Sequence, residues 1–71
     1  MEKRIITLNS QTAAIRAHRA LASCGIRAKV VRLSPSQSRR GCGHGVETDA
    51  RDIKAATSCL YYSGINYSDV I

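Results

Sequence analysis

The chain has 71 residues, of which 44% are hydrophobic, and its 11 basic and 5 acidic residues leave a net charge of +6. Trp and Phe are absent, so the core of a single small domain, residues 1–71, must be built from aliphatic side chains. A domain of this size has no room for the deep pocket of a stand-alone enzyme. No apolar run resembles a signal peptide or a membrane span, so we expect a cytoplasmic protein with free thiols and no membrane partner.

The beginning of the chain predicts a strand followed by a helix. Lys3–Leu8 is short and rich in β-branched residues, which is typical of a strand. Asn9 and Ser10 offer N-cap side chains to a helix over residues 10–24. Ile15 lies off the apolar face of that helix, and we expect it to be exposed. At a spacing of 3.6 residues, the apolar face consists of Ala13, Ala14, Ala17, Ala20, Leu21 and Cys24.

The middle of the chain predicts two strands separated by a polar loop. Residues 26–33 alternate between apolar and basic side chains, as in a strand with one solvated face. The alternation breaks at Val31, which indicates a sheet edge or a bulge. Residues 34–41 are polar, contain the only proline and show no periodicity, so we expect a loop. Residues 43–48 then form a glycine-rich strand.

The end of the chain predicts a second helix and a last strand over residues 65–71. Asp49 is the expected N-cap of this helix, with Asp52 in its first turn, where negative charge suits the helix dipole. Gly64 ends the helix in the way that Gly25 ends the first one. The expected inner face consists of Ile53, Ala56, Cys59, Leu60 and Ser63.

The two halves of the chain repeat each other. A shift of 39 residues superimposes Ser10 on Asp49, Gly25 on Gly64, and the apolar helix positions on one another. Two β-α-β units in a chain this short indicate an α+β fold, the ferredoxin-like βαββαβ sandwich, with a four-stranded antiparallel sheet and two helices on one face. In this topology Cys42 is expected near Ser10, at the start of the first helix.

The segment around Cys42 is the candidate functional site. Its neighbours are arginines before it, a glycine on each side and a histidine after it: Arg39, Arg40, Gly41, Gly43 and His44. Glycines leave the sulfur uncrowded, and cationic groups and a helix N-terminus favour a thiolate. The residues alone leave open whether Cys42 is reactive or an incidental surface thiol.

Other chemistry has less support in the sequence. Cys42 and His44 supply too few ligands for a closed zinc site, so we expect no metal, and no cofactor motif is present. Cys24 and Cys59 are expected to be small buried hydrophobic residues; a role as a resolving thiol is the minor alternative. A nucleic-acid surface is a further alternative, although sheet aromatics for base stacking are missing. Its basic residues would be Arg16, Arg19, Arg27, Lys29, Arg32, Arg39 and Arg40.

Nearly the whole chain resembles a small bacterial family of selenium/sulfur carrier protein-like domains. The resemblance lies in the opening strand Ile5–Leu8, the helix ending Ala20–Ile26, the polar loop, Gly41-Cys42-Gly43, and the second helix ending Ser63-Gly64-Ile65. The family's Cys-Gly step falls on Cys42 and Gly43, with Gly41 where the family often has Ser. His44 and Gly45 replace mainly apolar residues.

The resemblance implies a carrier that holds a persulfide or selenopersulfide on Cys42. Its implied partners are a cysteine-desulfurase-like donor and a sulfur or selenium acceptor protein, and the basic surface would steer it toward acidic partners. Such a protein relays a group rather than catalysing a reaction alone. The competing hypotheses are a basic ferredoxin-like interaction or nucleic-acid-binding module, and a thiol redox sensor.

Overall fold

A computed structural model describes residues 2–34 and 43–71 of the chain. The predicted order of strands and helices is confirmed. The elements are β1 (Lys3–Leu8), α1 (Gln11–Ser23), β2 (Ala28–Arg32), β3 (His44–Asp49), α2 (Ile53–Tyr62) and β4 (Asp69–Val70), with a 3₁₀ turn at Ala50–Asp52. No helix within the described ranges is long and apolar enough to cross a membrane.

The strands form one four-stranded sheet in the order β2-β3-β1-β4, with every neighbouring pair antiparallel. Ile6 at its centre lies opposite Val46 on one side and Val70 on the other. β2 is an edge strand, which is one of the two explanations expected for the broken alternation at Val31. This arrangement confirms the predicted α+β sandwich, because it is the strand order of the ferredoxin-like βαββαβ fold.

Both helices pack on one face of the sheet through small or aliphatic side chains. Ile15 lies off this face and is 41% exposed, as predicted. Alanines at the contact positions of α1 allow the helices and the sheet to approach closely, which compensates for the absence of Phe and Trp. The buried core residues in contact with one another are Ile6, Leu8, Ala14, Ala17, Leu21, Val46, Ala56, Cys59 and Leu60.

The two helices end in the same way, which confirms the repeat in atomic detail. Gly25 and Gly64 both have φ of 74°, a left-handed conformation that a side chain would strain. In each turn the residue after the glycine donates its N–H to a carbonyl five positions earlier, a Schellman pattern. These bonds are 2.9 Å long in both cases and join Ile26 to Leu21 and Ile65 to Leu60.

Several predicted details of the second half are wrong. α2 begins at Ile53 rather than at residue 50, because a 3₁₀ turn precedes it. Asp49 makes no side-chain cap bond, and its carboxylate lies 3.7 Å from the Arg51 guanidinium instead. β4 has only two residues rather than the predicted seven, since the chain between Gly64 and Asp69 is irregular. Ser63, expected on the inner face, is exposed.

Gly45 occupies a position in β3 that has no room for a side chain. A Cβ atom there would lie 2.7 Å from Ile5 Cγ2 and 2.8 Å from the Ile6 carbonyl oxygen. By contrast, a Cβ on Gly43 would meet no atom of the described residues within 4 Å. The glycine at 45 therefore lets the Ile5 side chain lie across β3.

Candidate functional site

The structure describes part of the predicted site. The predicted residues that lie outside the described ranges are Arg39, Arg40, Gly41 and Cys42. The expected position of Cys42 near the first helix therefore stays a prediction. Ser10, Gly43 and His44 are described, and they lie at one edge of the sheet, where β1 ends and β3 begins.

Gly43 stands beside the end of β1. Leu8 pairs with His44 at the last position of the β1–β3 ladder, so Asn9 and Gly43 are the next residues along the two chains. The Leu33 N–H donates to the Gly43 carbonyl at 2.9 Å, which holds β2 and β3 together at this end. The residue bonded to Cys42 is thus anchored at the edge of the sheet from which α1 departs.

Ser10 shapes the start of α1. Its Oγ accepts a hydrogen bond from the Ala13 N–H at 3.1 Å, and its carbonyl accepts one from the Ala14 N–H at 3.1 Å. Helical geometry gives the N–H groups of Gln11 and Thr12 no acceptor within the helix. The first turn contains no acidic residue to offset their partial positive charge. Ser10 therefore supports the positive end of the helix, with its own hydroxyl engaged in the cap.

His44 is half-buried on the face of the sheet that carries the helices. It pairs with Leu8 and Arg32 and lies two residues before the core residue Val46, so these side chains share a face. Arg32 lies on the edge strand β2 and is exposed. The described part of the site is therefore basic on the helix side.

Cys24 and Cys59 form a disulfide, which contradicts the prediction of free buried thiols. Their Cα atoms are 6.5 Å apart, and Cys24 is exposed whereas Cys59 is 6% exposed. The two helices run side by side on the sheet, so residues 35 positions apart in sequence meet. Cys59 Sγ also lies 3.1 Å from the Ala20 carbonyl oxygen. In the disulfide this is a close contact, because the sulfur has no proton; a reduced Cys59 would donate there.

The topology separates Cys24 from the candidate site. α1 starts at the edge where Gly43 lies and runs about 20 Å to the opposite edge, at 1.5 Å per residue for its 13 residues. Cys24 follows its last residue. This separation disfavours Cys24 as a resolving thiol for a group held beside Gly43.

A cleft and two tyrosines at the site edge were not part of the predicted site. The cleft, of about 230 Å³, lies between the first half of α1 and the turn after α2. Tyr61 and Tyr62, in the last turn of α2, are 76% and 85% exposed. They reach this end because α2 runs antiparallel to α1. The sequence signal that could have indicated them is the Tyr-Tyr pair itself. The cleft is lined by Asn9, Ala13, Arg16, Gly64, Ile65 and Asn66.

A second cleft lies at the opposite edge. It measures about 390 Å³ and mixes cations with carboxylates. The side chains that line it therefore largely balance one another's charge. They belong to Lys3, Gly25, Arg27, Asp49, Arg51 and Asp52.

The uncovered face of the sheet lacks a base-stacking platform. Its central residues are Ile5, Thr7, Val31 and Gly45, and no aromatic residue of the described strands points to this face. Sheet-based RNA binders stack bases on aromatic side chains at such positions. This surface does not favour the nucleic-acid alternative.

Comparison with known proteins identifies a family. The model of a family described as "Putative Se/S carrier protein-like" matches residues 3–71. No curated protein and no solved structure gave a match. A carrier family implies partner proteins, between which the carried group passes. Because the match spans nearly every residue, including both β-α-β units and the Cys42-Gly43 step, the chain belongs to the Se/S carrier protein-like family.

Proposed function

We propose that the protein carries sulfur or selenium on Cys42 as a persulfide or selenopersulfide. It receives the atom from a cysteine-desulfurase-like donor and passes it to an acceptor protein. The observation that carries this proposal is the family match over residues 3–71. Cys42 is the only cysteine outside the disulfide, and it directly precedes Gly43 at the site edge.

The loading step is an exchange at sulfur. The Cys42 thiolate attacks the outer sulfur of a persulfide on the donor's cysteine, a new S–S bond forms on Cys42, and the donor's S–S bond breaks. The donor cysteine leaves as a thiolate and takes up a proton, while the proton of the Cys42 thiol goes to solvent. No external oxidant or reductant is required. Transfer to the acceptor is the same kind of exchange. The acceptor's nucleophile attacks the outer sulfur, the S–S bond on Cys42 breaks, and Cys42 leaves as a thiolate.

The neighbours of Cys42 suit this chemistry. Arg39 and Arg40 favour a thiolate and a negatively charged persulfide, as does the positive end of α1, which is capped by Ser10 and has no acidic residue in its first turn. Gly43 is anchored by its carbonyl, yet no side chain or backbone atom of the described residues fills the space beside its Cα. Such space on the residue that follows Cys42 suits the approach of a donor cysteine. His44 adds a partly buried imidazole next to this position.

A thiol redox sensor is the second candidate, favoured by the disulfide between Cys24 and Cys59. In that function Cys42 would be oxidised rather than loaded. The two candidates differ in the adduct that Cys42 acquires, so one mass measurement separates them.

The test is to incubate the purified protein with a cysteine desulfurase and L-cysteine and to measure its intact mass. We expect a gain of one sulfur atom, removable by dithiothreitol, and a gain of one selenium atom when selenocysteine replaces cysteine. Cys42→Ala should gain neither, because its other two cysteines are paired. The double variant Cys24→Ser/Cys59→Ser should still load.

Equal adducts on wild type and Cys42→Ala would contradict the carrier function. A wild-type protein that gains oxygen in dilute peroxide, but no sulfur from the desulfurase, would favour the redox sensor.

A further inference from the structure

We propose that one end of the molecule is the docking surface for the sulfur-donor protein, and that this partner is acidic where it binds. This inference rests on the proposed function. The surface, called the tyrosine face below, comprises the second turn of α1, the last turn of α2 and the chain that follows α2. It includes Tyr61, Tyr62 and Tyr67, together with the 230 Å³ cleft that Arg16 and residues 64–66 line.

Exposed apolar side chains are concentrated on this face. Among the described residues, the large hydrophobic side chains that are exposed are Ile15, Tyr61, Tyr62 and Tyr67. The three tyrosines flank residues 64–66, which line the cleft, whereas Ile15 lies on the side of α1 away from the cleft residue Ala13. The rings of Tyr61 and Tyr62 meet edge to face, with centroids 5.4 Å apart. Tyrosine offers a large contact area with few rotatable bonds, and it is enriched among the residues that dominate protein interfaces. The tyrosine face therefore has the apolar anchors of a protein-binding surface.

The acidic residues are concentrated at the edge of the molecule opposite Gly43. Residues 3–46 and 53–68 contain no Asp or Glu. The fold brings Glu2, Asp49 and Asp52 to the edge opposite Gly43, leaving Glu47 and Asp69 on the strands. Asp69 is the carboxylate nearest to the tyrosine face, and its Oδ1 accepts the Val70 N–H at 2.8 Å. A partner that neutralises this end must bring carboxylates of its own.

The cleft offers a place for one such carboxylate. Arg16 lines it together with the amides of Asn9 and Asn66. A guanidinium binds a carboxylate through two parallel hydrogen bonds, and 230 Å³ is enough for an Asp or Glu side chain but not for a cofactor. Since Asn9 directly follows β1 beside Gly43, a partner with an acidic residue in this cleft lies next to the residue bonded to Cys42.

A protein fits this face better than RNA does. The sheet surface that would stack bases has no aromatic residue, and Tyr61 and Tyr62 lie against each other rather than side by side as a platform. The carrier family requires contact with partner proteins. Because the tyrosine face lies at the same edge as Gly43, a donor protein bound there would hold its cysteine close to Cys42.

The experiment measures the second-order rate of sulfur transfer to the protein from a persulfide-loaded cysteine desulfurase freed of excess cysteine. Arg16→Glu should slow transfer about tenfold at low salt, and less at high salt, because opposite charges accelerate association. The double variant Tyr61→Ala/Tyr62→Ala should slow it about tenfold at every salt concentration. Arg27→Glu makes the same change of charge at the opposite edge and should alter the rate less than about twofold. All these side chains are exposed, and circular dichroism checks that each variant folds.

Inorganic polysulfide loads a thiol without protein docking, so it serves as the second readout. Equal rates from the desulfurase for wild type, Arg16→Glu and the tyrosine variant would overturn the docking surface while leaving the carrier function intact. Failure of both polysulfide and desulfurase to load Cys42 would contradict the carrier function itself. Binding of single-stranded oligouridylate that both variants lose, with unchanged transfer rates, would assign the face to RNA and overturn the inference.

Discussion

Replacing Cys24 with serine should lower the free energy of unfolding of the oxidised protein by about 4 kcal/mol. The disulfide closes a loop between residues 35 positions apart, and this cross-link restricts the unfolded chain. Serine itself should cost little, because residue 24 is exposed. The freed Cys59 thiol can donate a hydrogen bond to the Ala20 carbonyl, 3.1 Å from its sulfur. A loss of this size is a large share of the stability of a small aliphatic domain.

Urea unfolding followed by circular dichroism measures this effect. Wild type with dithiothreitol should unfold near the midpoint of Cys24→Ser, and the reductant should leave the midpoint of Cys24→Ser unchanged. A thiol assay on unfolded, unreduced wild type should find one free thiol, that of Cys42. Three free thiols, together with a wild-type midpoint that does not respond to reductant, would contradict the disulfide.

Gly45→Ala should destabilise the protein by about 1–3 kcal/mol. The new methyl group would lie 2.8 Å from the Ile6 carbonyl oxygen, which is backbone at the centre of the sheet and cannot move aside alone. It would also lie 2.7 Å from Ile5 Cγ2. Either β1 and β3 separate locally or the Ile5 side chain leaves its position. Thermal unfolding of the oxidised protein should show a lower midpoint.

Gly43→Ala is the matched control for this prediction. An added Cβ there meets nothing within 4 Å, so the midpoint should stay the same or rise slightly, since alanine restricts the unfolded chain. Equal midpoints for Gly45→Ala and Gly43→Ala would show that β1 and β3 are not packed as closely as the structure has them. Because Gly43 adjoins Cys42, the same variant also shows whether sulfur loading tolerates a methyl group at this position.

The elements of the fold follow from local sequence signals. Ser10 caps α1, and Gly25 and Gly64 end the two helices, each as predicted. These signals act over a few residues and need no knowledge of the rest of the chain. The predictions that are wrong concern Asp49 and the length of β4, where the 3₁₀ turn and the irregular chain after Gly64 depend on how α2 packs.

The site is only partly readable from the sequence. The glycines and basic residues around Cys42 predict an activated thiol, and the repeat predicts that Cys42 lies near the start of α1. The structure shows that Gly43, the residue after Cys42, lies at the edge from which α1 departs. The sequence predicts that the two other cysteines are buried on the inner helix faces, which is correct for Cys59 but wrong for Cys24, which is exposed. It did not pair them, because their separation of 35 residues becomes a contact only when the helices lie side by side.

Composition, periodicity and capping residues by themselves determined that the chain forms two β-α-β units with an aliphatic core. The tertiary structure decided the partners that lie far apart along the chain. It joined Cys24 to Cys59, required glycine at 45 against the Ile5 side chain, and brought residues 64–66, which follow the exposed Tyr61 and Tyr62, to Arg16 in one cleft. Local signals specify backbone conformation, whereas these juxtapositions arise from helix and strand packing, which no short stretch of sequence encodes.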